Sequence, residues 1–344
     1  MQVSHGSRKS RRTLIAVAAI SAGTLVLTAC STGSNGTSNA TNIAAIIKGL
    51  DNPFFQSMQQ GINEQSSAAG VSTTVQAANA VTDTTGQADK LTGLAGQSFS
   101  CFIVNPISGT NLVQGLAKVA AQKKPIVNID SPIDANAAKA ANAVPLTYIG
   151  TDNTQAGKLA GLRMTELVPN GGPVAVVGGI SGDVTSGARV EGFSQGLGSK
   201  LKVAQTVAAD WDRQTALTRA TDILRANPNL VGFFVANDDM ALGVSRAVAN
   251  AGKTGQVKVI SVDGIKDGLD AVKAGSLDAT IAQYPYTIGA LGVEACQAAV
   301  KGKTLPTKVD APVAVVTKDN VDQALTSAPK PFNAFDDPFR ALLQ

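Results

Sequence analysis

The 344-residue sequence contains one histidine, His5, so no imidazole follows the N-terminal segment. A Ser-His-Asp or Cys-His catalytic arrangement requires that side chain, and so do the commonest zinc sites. No GxGxxG follows the first predicted strand, so dinucleotide binding has no support. Paired carboxylates could still serve a glycosidase. The histidine-dependent enzyme classes are excluded, and we predict no catalytic residues, no metal and no cofactor.

Cysteine is also scarce, with three in the chain. Cys30 ends Leu27-Thr28-Ala29-Cys30, which resembles the lipobox of bacterial lipoproteins. It follows a basic segment and an apolar run at 14–27 that is too short to span a bilayer. We therefore predict a signal peptide at 1–29, lipidation of Cys30 and a flexible tether at 30–41. The resemblance of 10–15 to a twin-arginine signal leaves the export route open.

Excess charge is confined to the same segment. The formal net charge is +4, from 29 basic and 25 acidic residues. The first 29 residues hold four basic and no acidic side chains, which leaves 25 of each sign in the remainder. A neutral domain does not indicate nucleic-acid binding, and we predict none.

The two other cysteines stand in apolar surroundings. Cys101 begins the run "CFIV", and Cys296 lies within a helical pattern. Both patterns favour small buried residues over a disulfide.

Aromatic residues make up only 4% of the chain, yet Phe54 and Phe55 are adjacent in "LDNPFFQSMQQG". Asn-Pro before them indicates a helix start, and we predict a helix at 53–69. Neighbouring residues on a helix point in different directions, so one face of the core cannot explain both rings.

Beyond residue 42, short apolar runs alternate with helical stretches, which is typical of an α/β fold with parallel sheets. Strands are predicted at 43–47, 72–76, 102–104, 126–129, 174–177, 232–235, 257–262 and 279–281.

An internal repeat places polar residues at the ends of these strands. "FIVN" ends at Asn105 and "VNID" at Asp130, while "FFVAN" ends at Asn237 and "VISVD" at Asp263. Ligands of open α/β sheets bind outside the carboxyl ends of the strands. Two lobes facing each other would therefore place two Asn and two Asp around one cleft. A carboxylate at a strand end is unpaired unless something binds it, so we expect a ligand there.

Nine segments in this order resemble the ribose-binding-protein-like, type I periplasmic binding proteins of ABC importers. They are "LDNPFFQSMQQG", "FIVNP", "IVNIDSP", "IGTDNTQAGKLAG", "GARVEGF", "AADWDRQTAL", "FFVANDDMALG", "VISVDG" and "ATIAQYP". The resemblance covers about 43–318. It implies two doubly wound parallel-sheet lobes joined by three hinge strands, one of 42–150 plus 285–312 and the other of 151–284 plus 313–325. Hinges are expected near 150–152, 283–285 and 311–313, and the tail at 326–344 lies outside the pattern.

The resemblance also implies a sugar site. Asparagine, aspartate and glutamine side chains would bond the hydroxyls, Arg189 would donate a planar fork, and the rings of Phe54, Phe55 and Trp211 would pack on the sugar. Three positions depart from ribose receptors. Ser131 stands where they carry arginine, and Lys48 where they carry a small polar residue. Val262 also replaces an aromatic residue. The expected ligand-binding set is Lys48, Asn52, Phe54, Phe55, Asn105, Asp130, Ser131, Arg189, Trp211, Asn237, Asp263 and Gln283.

These departures predict a ligand other than ribose, either another pentose or an acyclic polyol. The expected protein is a monomeric lipoprotein on the outer face of the cell membrane that delivers its sugar to an ABC permease. One alternative is a receptor of the same fold that senses a sugar-like signal such as a furanosyl autoinducer. Repressors with similar lobes carry an N-terminal helix-turn-helix, and here that place holds the predicted signal and lipobox.

Overall fold

The structure, a computed structural model, describes residues 41–344. The predicted signal peptide, Cys30 and tether residues 30–40 lie outside the described residues. The strands form two six-stranded sheets. The first contains β1 (Asn42–Ile47), β2 (Ser72–Ala77), β3 (Cys101–Val104), β4 (Ile126–Ile129), β5 (Thr147–Gly150) and β11 (Lys308–Asp310), in the order β11-β5-β4-β3-β1-β2. The second contains β6 (Gly172–Gly178), β7 (Leu201–Ala208), β8 (Gly232–Val235), β9 (Lys258–Asp263), β10 (Ala279–Ala282) and β12 (Ala314–Val316), in the order β12-β10-β9-β8-β6-β7.

Helices follow most strands and cover both faces of each sheet. They are α1 (Pro53–Ala68), α2 (Thr84–Ala95), α3 (Val113–Ala121), α4 (Ala135–Ala140), α5 (Asn153–Leu167), α6 (Val184–Gly196), α7 (Arg213–Ala226), α8 (Asp238–Asn250), α9 (Lys266–Ala274), α10 (Pro285–Val300), α11 (Val321–Ser327) and α12 (Arg340–Leu343). Every residue of β3, β4, β8 and β10 is buried, as expected of parallel strands with both faces covered. All described strand pairs are parallel except β10 with β12.

The chain passes between the sheets at three places: after β5, after β10, and between β11 and β12. These crossings fall at the three positions predicted as hinges. We call the part that carries the first sheet, with α1–α4 and α10, the first half. The part that carries the second sheet, with α5–α9 and α11, is the second half.

The predicted fold class is confirmed, and all eight predicted strands exist. Two of them, β4 and β8, have the predicted bounds. Four strands were not predicted. Among them β7 lies at a sheet edge with most of its residues exposed, so it lacks the apolar run by which the others were recognised.

The prediction of two free cysteines is wrong, because Cys101 and Cys296 form a disulfide. Cys101 begins β3, and Cys296 lies on the buried face of α10, which packs on β3 and β4. Their Cα atoms are 5.7 Å apart although 195 residues separate them in sequence. Both side chains are buried as predicted, and their sulfur atoms are bonded to each other.

The C-terminal tail packs on the fold. Phe339 is fully buried in the apolar core of the first half, and Phe335 and Leu342 pack against the same core. Phe332 instead packs against the core of the second half. The tail therefore contacts both halves. Within 41–344, no helix combines the length and the apolar character needed to cross a membrane.

Candidate functional site

A cavity lies between the two halves, at the carboxyl ends of strands from both sheets. Its walls contain ten of the twelve residues predicted for the site. We call the lining residues from the first half the first wall and those from the second half the second wall. The first wall carries Lys48, Asn52, Phe54, Phe55, Asp130 and Ser131, and the second carries Arg189, Trp211, Asn237 and Asp263.

Each wall contains an asparagine that caps a helix. Asn52 Oδ1 accepts a hydrogen bond from the Phe54 N–H at the start of α1, at 2.9 Å. Asn237 Oδ1 accepts one from the Met240 N–H at the start of α8, also at 2.9 Å. Capping is a common use of asparagine, and here it fixes each amide oxygen on the backbone. No described residue accepts from either amide nitrogen, so each side chain keeps its donors available at the cavity.

The carboxylate of the first wall belongs to a three-residue cluster. Lys48 Nζ donates to Ser131 Oγ at 2.6 Å and lies 3.8 Å from Asp130 Oδ2, and Ser131 Oγ donates to the same oxygen at 3.2 Å. All three side chains are buried. Among the described residues none donates to Asp130 Oδ1. The first wall thus presents one engaged and one available carboxylate oxygen.

Asp263, which carries the carboxylate of the second wall, also has one engaged and one available oxygen. Its Oδ1 accepts from Arg189 Nη1 at 3.3 Å and from Gln283 Nε2 at 2.7 Å, and within the described chain nothing donates to Oδ2. Arg189 is fixed further by Nη1 on the Ala236 carbonyl and Nε on Asn153 Oδ1. The expectation that strand-end carboxylates stay unpaired without a ligand is therefore wrong, because each wall supplies its own cation.

The surroundings of the second-wall carboxylate alter its protonation. Burial raises the pKa of Asp263 well above its usual range, and the Arg189 guanidinium opposes that rise. The negative charge of Asp238, behind the second wall, raises the pKa of Asp263 further. The second-wall carboxylate is thus more easily protonated than an exposed aspartate.

The two adjacent phenylalanines lie edge to face, with ring centroids 5.2 Å apart and planes at 74°. Both line the cavity, and both also belong to the buried core of the first half. Lys48 Nζ lies 5.5 Å from the centroid of the Phe55 ring. The adjacent pair is thereby explained, because each ring contributes both to the core and to the wall.

The only tryptophan lies on the second wall, in a left-handed backbone conformation with φ 62°. Arg189 Cζ is 5.8 Å from its ring. The ring also packs on Gly179, where a Cβ would come within 2.2 Å of it. Glycine at 179 is therefore needed for Trp211 to reach the cavity.

Two predicted residues do not line the cavity in this structure. Asn105 is fully buried, with Nδ2 3.5 Å from Met58 Sδ and no partner for Oδ1. Gln283 lies behind Asp263 and donates to it, as described above. Gln283 thus supports the second wall from behind.

Four lining residues were not predicted: Val81, Ile107, Ile180 and Thr185. Three are apolar, and all come from loops or a helix start, so no strand-end pattern indicated them. The described part of the chain has no group of three or more His, Cys, Asp or Glu side chains placed to hold a metal ion.

Comparison with known proteins identifies the family. A family model described as periplasmic binding protein domain matches residues 43–304. The chain belongs to this family. It is 36% identical over 271 residues to the D-allose-binding periplasmic protein of Escherichia coli, covering 78% of this chain and 87% of that protein. It is 32% identical over 278 residues to the ribose import binding protein RbsB of Salmonella typhimurium, covering 80% and 90%.

A solved structure agrees with these relatives. The periplasmic solute-binding protein of an ABC transporter from Actinobacillus succinogenes, with bound D-allose, superposes with a TM-score of 0.77 at 30% identity. The match covers 82% of this chain and 99% of that one. The resemblance inferred from the sequence is confirmed. The relatives named here are sugar-binding or transport proteins rather than enzymes.

Proposed function

We propose that the protein binds a neutral sugar or polyol of five or six carbons between its two walls and delivers it to an ABC permease. The observation that carries this proposal is the pairing on each wall of an available carboxylate oxygen with an available amide N–H. A hydroxyl group both donates and accepts, so such a pair can accept its proton and donate to one of its lone pairs. Bonds to a carboxylate are also stronger than those between neutral groups.

The aromatic side chains support the same ligand class. Phe54 and Phe55 belong to one wall and Trp211 to the other, so a ligand in the cavity has rings on two sides. Sugars carry C–H groups on faces that lie between their hydroxyls, and aromatic rings cover such faces well. A highly charged ligand would not need this combination of rings and hydroxyl-bonding groups.

The identity of the sugar depends on the first wall. We propose that Lys48, through Ser131, replaces the cation that ribose receptors carry beside the aspartate, so that a different hydroxyl pattern is preferred. The relatives that bind D-allose or serve ribose import fit a monosaccharide of this size. A site built around particular hydroxyls leaves its own polar groups unpaired when the wrong isomer binds. We therefore expect ribose to bind more weakly than at least one other compound.

Capture would proceed by closure of the two halves about the three crossings, which is a common transition in this type of protein. The closed surface would then be recognised by the permease. We further propose export and anchoring to the outer face of the membrane through a lipid on Cys30.

A thermal-shift screen of residues 41–344 tests the function. The panel contains D-allose, D-ribose, D-arabinose, xylitol and, as unrelated controls, leucine and citrate. A ligand that binds only the native state raises the melting temperature. We expect at least one sugar or polyol to do so and neither control. A shift with leucine or citrate but no carbohydrate would overturn the proposal, and micromolar binding of ribose as the best ligand would overturn the assignment of the first wall.

A further inference from the structure

Asp238 lies behind the second wall, does not line the cavity and is fully buried. It is the first residue of α8, directly after Asn237. Its Oδ1 accepts hydrogen bonds from Ser261 Oγ on β9 and from Thr280 Oγ1 on β10, the second at 2.7 Å. Its Oδ2 accepts from the Ile265 N–H at 3.0 Å. One buried carboxylate therefore joins two strands and the turn that follows β9.

That turn carries the ligand-facing aspartate in an unusual conformation. Asp263 has φ 138° and Gly264 has φ 72°, so two consecutive residues lie at positive φ. The next helix, α9, begins after Ile265, whose side chain cannot cap it. Asp238 instead accepts from the N–H of Ile265 itself, and so ties the residue before the first turn of α9 to α8. On α9, Gly268 leaves the necessary space, because a Cβ there would lie 2.1 Å from Asp238 Oδ2.

We infer that Asp238 is a positioning residue for sugar binding, which holds the turn so that Asp263 presents its free oxygen to the cavity. The inference rests on the proposed function, since sugar affinity is one of its readouts. Nothing in the role requires Asp238 to touch the ligand.

The first wall performs the same task with a neutral side chain. Asn128 Oδ1 accepts from the Ile133 N–H at 3.0 Å, and its Nδ2 donates to the Ser131 carbonyl at 2.8 Å. That amide fixes the turn after Asp130. The second wall differs because its support carries a negative charge close to Asp263. The other charged groups acting on Asp263 are Arg189, on α6, and Asp130, across the cavity.

Because Asp238 can carry a charge, replacing it should change the pH dependence of sugar binding, which loss of packing alone would not do. Burial raises the pKa of Asp238 to about 6, and its ionised form raises the pKa of Asp263. Asp238→Asn keeps an acceptor for Ile265 and removes the charge, so Asp263 should then ionise at lower pH. The acid limb of sugar binding should shift to lower pH while most of the affinity remains. Asp238→Ala leaves the Ile265 N–H and both hydroxyls without their acceptor, and the Kd should rise about tenfold or more.

The test combines two measurements on residues 41–344 of the wild type, D238N, D238A and the control D239A. Asp239 is the next residue on α8 but pairs with Arg213 instead of the turn. Hydrogen exchange without ligand reports the amides of 264–266, and calorimetric titration with the most stabilising compound of the panel gives the Kd between pH 4.5 and 8.

We expect faster exchange at 264–266 in D238A but not in D239A, and an acid midpoint at lower pH in D238N. Unchanged exchange in D238A, or a D238N midpoint equal to that of the wild type, would overturn the inference. If D238A does not fold, the acid midpoint of binding and the exchange at 264–266 in D238N test the role of Asp238 instead. If the wild type binds no sugar, the proposed function fails, and the exchange at 264–266 still decides the role of Asp238.

Discussion

The two walls of the cavity follow one plan and differ in how each carboxylate is held. In both, an asparagine caps a helix, and an aspartate lies at the carboxyl end of a strand, directly after β4 in one wall and as the last residue of β9 in the other. The first wall keeps Lys48 at 3.8 Å from Asp130 with a serine between them, and a neutral amide supports the turn. The second wall keeps Arg189 at 3.3 Å from Asp263, and a buried carboxylate supports the turn.

This difference extends to the surrounding halves. The first half contains the Cys101–Cys296 disulfide and receives the buried Phe339 of the tail. The second half has neither, as far as residues 41–344 show, but it has a second buried carboxylate, Asp238, behind its wall. Two equivalent walls are thus supported by unlike side chains, since a neutral amide holds the turn after Asp130 and a buried carboxylate holds the turn after Asp263.

The largest expected effect is the loss of stability when Arg189 is removed, and it should exceed the loss when Lys48 is removed. Arg189→Met should lower the free energy of unfolding by about 3–5 kcal/mol, because a buried partner is removed and Asp263 keeps only Gln283 as a donor. Lys48→Met should cost clearly less, about 1–2 kcal/mol, since its ion pair is longer. Urea denaturation of the ligand-free proteins measures both. Equal losses would contradict the proposed difference between the walls.

The tail offers a similar test on the first half. Phe339→Ala removes a fully buried ring and should destabilise the protein by about 3–5 kcal/mol. Phe335→Ala, at a partly buried ring of the same tail, is the matched control and should cost less. A loss no larger than that of the control would show that the tail does not support the first half.

Loss of the disulfide should have the next largest effect on the free energy of unfolding. Cys296→Ser removes a link that closes a loop of 195 residues, and we expect destabilisation of about 2–4 kcal/mol. The Cys101→Ser/Cys296→Ser double variant should match it, and a reductant should then have no further effect. If the reductant lowers the stability of the double variant as well, the effect does not come from this bond.

The smallest expected effect concerns pH. Burial and the neighbouring Asp337 carboxyl of the tail raise the pKa of Glu294 to about 8. The native state therefore keeps a proton that the unfolded chain has already released, and stability should fall as the pH rises from about 4.5 to 8. Glu294→Gln should remove roughly 1–2 kcal/mol of this fall, an amount reduced for partial exposure. Urea denaturation of the wild type and Glu294→Gln at pH 5 and pH 8 measures this. If both proteins lost the same stability between the two pH values, the assignment would be contradicted.

Much of the fold and site could be predicted from local pattern. Strands such as β4 and β8 are continuous apolar runs, and the Asn and Asp residues that follow strands were identified because strand ends converge in parallel sheets. Contacts between distant segments could not be predicted. The disulfide depends on how α10 packs on β3, and Lys48 and Arg189 pair with the aspartates only in three dimensions. In "NDD", nothing in the sequence distinguishes the fully buried Asp238 from the half-buried Asp239.

The proposed function requires that both walls bind one carbohydrate at once. Isothermal titration calorimetry of the wild type, Asp130→Asn and Asp263→Asn with the most stabilising compound of the panel tests it directly. We expect one site per chain in the wild type and a loss of affinity of about tenfold or more in each variant. Full affinity in either variant would contradict it, because that wall would then take no part in binding.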